Sequence, residues 1–173
     1  MSRYPATTLL VLFCFSFISL AWSGDVALHG HNLPWGKGIE EFSNLVLIKT
    51  EGVISFYHNP DPSTDYDLTP GIKSSRIAYA FKNDKLFARI DEIETVDDFI
   101  KILDQMVELF GEPKEKMEGK IHIVSWVTEK LKIKLKFNKD NMSMKMGMYY
   151  MPLAGKDFDI NILIREILKL PSK

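Results

Sequence analysis

The chain has a single cysteine among its 173 residues, Cys14, and that cysteine lies inside the apolar run near its start. No Gly-x-Ser-x-Gly elbow occurs, no Gly-rich phosphate loop and no nucleotide-binding fingerprint. Neither sign of charge dominates, with 22 basic and 23 acidic side chains. After the opening segment no apolar run is long enough to span a bilayer, which takes about 20 residues. These absences remove thiol chemistry, serine hydrolysis on an elbow, nucleotide binding at a Gly-rich loop, and nucleic-acid or anionic-membrane binding driven by bulk charge.

The opening segment is of a different kind. One charge, Arg3, precedes an apolar run from about Ala6 to Trp22, and Ala21-Trp22-Ser23 puts small residues on either side of the tryptophan. Charged start, apolar middle and small-x-small end make a secretory signal, expected to span 1–23 with cleavage before Gly24 or just after Ala21. The run is short for a membrane anchor and is diluted by Ser16 and Ser19. Cleavage would remove Arg3 and Cys14, leaving 21 basic against 23 acidic residues, a charge of about −2 and no thiol. Disulfides and thiolate metal sites would go with it, and a cysteine-free secreted chain fits a bacterial periplasm. Residues 24–173 are long enough for one domain to bury roughly 70% of its unfolded-chain surface.

Within 24–173 the apolar spacing suggests alternating strands and helices. Ile39, Phe42, Leu45 and Val46 share a helical face and suggest a short helix over 38–48. Strands are expected at 52–57, 76–81 and 85–90, the last two joined by Lys82-Asn83-Asp84. His58 to Gly71, with Pro60, Pro62 and Pro70, reads as a loop. The clearest helix begins at the N-cap Thr95, carries Val96, Phe99, Ile100, Leu103, Met106, Val107 and Phe110 on one stripe, and ends at Gly111. A charged turn at 112–120 precedes strands at 122–128 and 131–137, the second alternating apolar residues with Lys132, Lys134 and Lys136. The run 142–148, with methionine at every second position, is a further strand, and 158–170 a final helix. The order α-βββ-α-βββ-α predicts an α+β fold, an antiparallel sheet of about six strands with its helices on one face, readable as two diverged αβββ repeats. The lysine row would lie on the other, more exposed face.

Leu33-Pro34-Trp35-Gly36, followed by Gly38-Ile39-Glu40-Glu41-Phe42, resembles the opening of a group of small secreted bacterial proteins of unknown function. Tyr79-Ala80-Phe81 with its hairpin, Phe110-Gly111-Glu112-Pro113 and Trp126 extend the resemblance over about 100 residues. Gly38 departs from it, since the pattern has Ser or Thr there. The resemblance implies a secreted, periplasmic α+β protein and carries over no active site.

Met142, Met144, Met146 and Met148 are the most distinctive chemical feature. Thioethers are soft ligands suited to Cu(I), with His122 as a candidate further ligand and Trp126 as a cation–π lid. The competing reading is a strand whose methionines wall a core, with Ser143, Lys145 and Tyr149 turned to the outer face. His29 and His31 could bind a divalent metal weakly near the new N-terminus. Asp61, Asp65 and Asp67 supply oxygens on a loop but not at calcium-loop spacing. Acidic pairs such as Glu40-Glu41 and Asp97-Asp98 sit at expected helix starts, where the helix dipole suffices to account for them. Trp35, just before the first helix, reads as a plug on the core.

The expectation is a secreted, non-catalytic binding or envelope-associated module with no cofactor. Its partner would be a protein, a peptide or an apolar ligand, with no nucleic acid and no membrane span after signal cleavage. Copper binding through Met142–Met148 is the alternative, and a small hydrolase a further one.

Overall fold

Period-two alternation governs most of the chain after Val46, and it builds more strands than the sequence reading counted. The computed structural model describes residues 33–61, 72 and 74–155. The strands are β1 (Val46–Glu51), β2 (Ile54–His58), β3 (Ser74–Lys82), β4 (Lys85–Ile93), β5 (Lys114–Glu118), β6 (Ile121–Val127), β7 (Leu131–Asn138) and β8 (Ser143–Tyr150). A long helix, α1 (Val96–Phe110), separates β4 from β5, and a single turn, α2 (Met151–Ala154), follows β8. All eight strands form one antiparallel sheet in the order β1-β2-β3-β4-β8-β7-β6-β5. Each half is a four-stranded meander, and the halves join through their last strands, β4 and β8. The methionine run, last of the expected strands along the chain, is therefore central in the sheet.

Among the described residues this sheet-dominated architecture, with eight strands and one long helix, overturns the expected six-stranded α+β fold built from αβββ units. Two local features account for the difference within the described residues. At 38–48 the chain makes only a 3₁₀ turn, Ile39–Glu41. Gly38 gives no side-chain cap, Asn44 takes φ 69°, and Val46-Leu47-Ile48 then enters β1, where β-branched residues are favoured. At 114–118 the charged segment read as a turn is a strand, paired residue for residue with β6. The expected helix at 158–170 and the signal segment at 1–23 lie outside the described residues.

The helix at 96–110 forms as expected. The Thr95 hydroxyl accepts from the Asp98 amide at 3.1 Å, and Gly111 at φ 76° closes the C-terminus. The buried face, however, is Phe99, Ile102 and Met106, while Val96 and Ile100 are exposed. These buried residues pack with Ile77, Tyr79, Phe81, Leu86, Ile93, Val124, Trp126, Ile133, Leu135 and the methionines of β8. Trp126 ties sheet to helix by donating its indole N–H to the Gly111 carbonyl at 2.8 Å.

A second apolar cluster lies on the opposite side: Phe56, Ala78, Ala80, Phe87, Ala88, Ile90, Tyr149 and Ala154. A bulge opposite Ala80 and Phe81 turns Phe87 to that side. α2 packs there, its Leu153 carbonyl accepting from Lys82 Nζ at 3.0 Å. The helices are thus divided between the two faces, contrary to expectation.

Leu33-Pro34-Trp35-Gly36 plugs one end of the core. The Gly36 amide donates to the Leu86 carbonyl, the Leu86 amide donates to the Lys37 carbonyl, and Gly38 bridges Lys85. Trp35 stacks on Tyr150 with ring centroids 6.1 Å apart, and Gly36 needs its φ of 75° to make the turn beneath it. The signature that carries the family resemblance therefore has a packing role.

Candidate binding face

Residues directly opposite on paired strands share a face, so the register lists what each face presents. On the face away from α1, one row runs Arg76, Glu92, Lys145, Lys136, Ile123, Lys116 across β3, β4, β8, β7, β6 and β5. The next runs Ala78, Ile90, Gly147, Lys134, Ser125, Lys114. A third joins Ala88, Tyr149, Lys132 and Val127. Over β2–β4 this face is mostly apolar, with Arg76, Lys82 and Glu92 as charged members, and over β5–β8 it is lysine-rich, with Lys114, Lys116, Lys132, Lys134, Lys136 and Lys145 all on it.

The spacing follows from strand geometry. Along β7 the three lysines repeat every second residue, about 7 Å apart, and β5 lies two strands away, about 10 Å. Lys114 and Lys116 are exposed, while Lys132, Lys134 and Lys136 are half-buried. Their field is felt by Glu118, on the same face. The Lys116 hydrogen bond, opposed by burial and aided by the charges of Lys116, Lys136 and Lys134, holds that carboxyl below the usual range.

Lys145 is the exceptional member. It is 4% exposed, and among the described residues nothing accepts a hydrogen bond from its Nζ. The nearest opposite charge is Glu92 Oε1 at 3.9 Å, and Glu92 also accepts from Arg76 Nε. Burial lowers the Lys145 pKa, Glu92 opposes that shift, and the positive charges of Arg76 and Lys136 add to it. Lys145 was expected to turn outward; it does lie on the outer face but is buried there, as is Tyr149.

The metal candidates are distributed differently. Met144, Met146 and Met148 are 4%, 1% and 1% exposed, on the face that α1 covers. They stand between Phe137, Leu135 and Ile133 of β7 and Ile93, Asp91 and Arg89 of β4. Met142 is exposed, takes φ 54° and precedes the strand, so it does not join them. His122 shares their face but is separated from Met144 by Phe137 in the register, and its Nε2 lies 3.0 Å from Glu115 Oε2. Trp126 lies within the core cluster, its N–H held by Gly111. Asp61 is exposed, with its amide on Asn59 Oδ1; Asp65, Asp67, His29 and His31 lie outside the described residues. Among the described residues no three His, Cys, Asp or Glu side chains are grouped to hold a metal ion.

Two charged groups, one on the binding face and one in the core, are not picked out by sequence. Lys114 and Lys116 were hidden in the charged segment, although Lys-Glu-Lys-Met-Glu does alternate. Arg89 and Asp91, both 1% exposed, point into the core under α1. Arg89 Nη2 donates to Asp91 Oδ1 at 2.7 Å and Nε reaches both carboxylate oxygens, while the Ser74 hydroxyl donates to Oδ1 at 3.1 Å. The guanidinium lies 5.7 Å from the Tyr79 ring centre. No helix among the described residues is long and apolar enough to cross a membrane. The chain matches no family model, no curated protein and no solved structure.

Proposed function

We propose that this protein is a secreted, non-catalytic binding module of the bacterial envelope that takes an anionic partner on the lysine-lined face of β5–β8. One observation carries the reading: over β5–β8 one sheet face carries six lysines from three strands against a single strand acid, Glu118, in a chain whose overall charge is nearly balanced. Segregated charge of this kind attracts and orients a partner of opposite sign. The signal-like start and the resemblance to small periplasmic proteins support the compartment.

The test is binding of poly-L-glutamate, with Lys132→Glu/Lys134→Glu/Lys136→Glu as the variant. The wild type should bind, weaken as salt rises, and lose at least about tenfold in affinity on charge reversal. Equal binding by both proteins would refute the face as the site. N-terminal sequencing of the protein recovered from a periplasmic extract, starting at Gly24 or Trp22, tests the compartment.

A further inference from the structure

The sheet is open, and its two edges differ. β1 is irregular, its register with β2 shifting between Leu47 and Lys49, and such a bulge discourages strand addition. β5 pairs with β6 without a break from Lys114↔Ser125 to Glu118↔Ile121, all five residues are exposed, and among the described residues no strand lies beyond it. Every second residue of such an edge turns its N–H and C=O outward, where they can pair with an added chain.

The side chains of β5 say what that chain should carry. Lys114, Lys116 and Glu118 project on the lysine face, so an added strand would place acids opposite the two lysines and none opposite Glu118. Glu115 and Met117 project on the α1 face, where a further acid would meet Glu115 and an apolar residue would meet the exposed Met117. A second copy fits less well. Antiparallel about Lys116, it would pair Lys114 with Glu118 twice but oppose the two Lys116 ammonium groups, and, neutral over Lys114–Glu118, it would bring no net negative charge to the lysine face; parallel and in register, it would oppose every charge to its like.

Resting on the anionic-partner reading above, we propose that the partner is an extended acidic segment, alternating acidic and apolar residues, that joins the sheet as a ninth strand along β5. The lysines of β5 and β7 would then select it by charge while the β5 backbone holds it by hydrogen bonds.

The probe is a capped peptide of about eight residues alternating Glu and Val, strand-length for such an edge. It is compared with two forms N-methylated at one or the other alternate set of amides, because one set faces the edge. Fluorescence anisotropy should show the parent binding and one methylated form weakened at least about tenfold, with β5 amides gaining hydrogen-exchange protection only with the parent and the tolerated form. Lys114→Glu/Lys116→Glu, both at exposed positions, should weaken the parent similarly and bind a Lys–Val peptide instead. Equal binding of all three Glu–Val peptides overturns the proposal while leaving the anionic-partner reading intact, since side chains alone would then hold the ligand. The same holds if poly-L-glutamate binds and the peptide does not. A dimer in the peptide-free protein that is built on β5, as judged by exchange protection there, would make a second copy the occupant and overturn the proposal. Failure of both ligands removes both readings.

Discussion

Replacing Asp91 by Leu should be among the most damaging single changes in the described structure. The carboxylate is 1% exposed and accepts three hydrogen bonds from Arg89, two through Nε and one through Nη2, besides one from Ser74. Its loss leaves a guanidinium, itself 1% exposed, among Tyr79, Met148 and the α1-facing core. Arginine cannot shed its charge inside a protein, so the variant must keep a buried cation that has lost its Asp91 carboxylate or open the core to water. Breaking a buried pair in this way costs about 3–5 kcal/mol. For a chain of this length that lowers Tm by roughly 10 °C. Arg89→Met should cost less, because the remaining carboxyl can take up a proton, and its cost should shrink as pH falls. The double variant, Arg89→Met/Asp91→Leu, should return to within about 1 kcal/mol of wild type, since apolar side chains of similar volume often replace a buried pair without loss. Urea unfolding of the four proteins measures all of this. A cost under about 1 kcal/mol for Asp91→Leu, or a double variant no better than that single one, would show that the pair is solvated or dispensable and the reasoning wrong.

Three further outcomes follow from the same geometry. Burial lowers the Lys145 pKa, so on raising pH the folded state releases that proton before the unfolded chain does, and stability should rise with pH through the window between the lowered value and about 10.5. Lys145→Met should raise Tm at neutral pH and flatten that alkaline rise; an unchanged pH profile would contradict it. Gly36→Ala should cost about 1 kcal/mol in urea unfolding, from the φ of 75° rather than from crowding, because the added Cβ meets only Tyr150 Cε1, at 3.6 Å. Met146→Leu should cost under about 1.5 kcal/mol, because Leu nearly conserves the volume at a buried site, whereas Met146→Ala should cost about 2–5 kcal/mol.

How much of this was legible in the sequence depends on the element. Thr95 with Asp98, and Gly111 with Pro113, carried their own start and stop signals, and the helix between them is where they put it. Strands with clean alternation, such as β7, and the Asn83-Asp84 hairpin, with both residues at positive φ, were legible for the same reason. The segment at 38–48 misled because apolar residues four apart fit a helix, while Val46, Leu47 and Ile48 fit a strand, and pairing with β2 decided between them. Lys114–Glu118 misled because an edge strand exposed on both faces needs no apolar residues, so composition alone resembles a turn. Burial of Ile102 in place of Ile100 came from how α1 sits on the sheet, which periodicity cannot fix.

The methionine run shows the same division between local signal and tertiary context. Its period fixed a strand with sulfurs on one side, and only the sheet order fixed what meets them. Because β4 and β8 pair at the centre, the methionines adjoin Arg89 and Asp91 rather than a second set of soft ligands. Their neighbours on the other side are Phe137, Leu135 and Ile133, with α1 packed in the same core cluster. An unbranched, polarizable side chain suits that place, between an ion pair of awkward shape and a wall of branched residues. The same pairing puts Lys145 on the opposite face, between Glu92 and Lys136, where the apolar half of the sheet gives way to the lysine half. One strand therefore contributes both to the core that holds the fold and to the charged face assigned to binding. Substitutions at even and odd positions of β8 should accordingly act by different routes: Met144, Met146 and Met148 through core packing, Lys145 through the charge buried beneath the face.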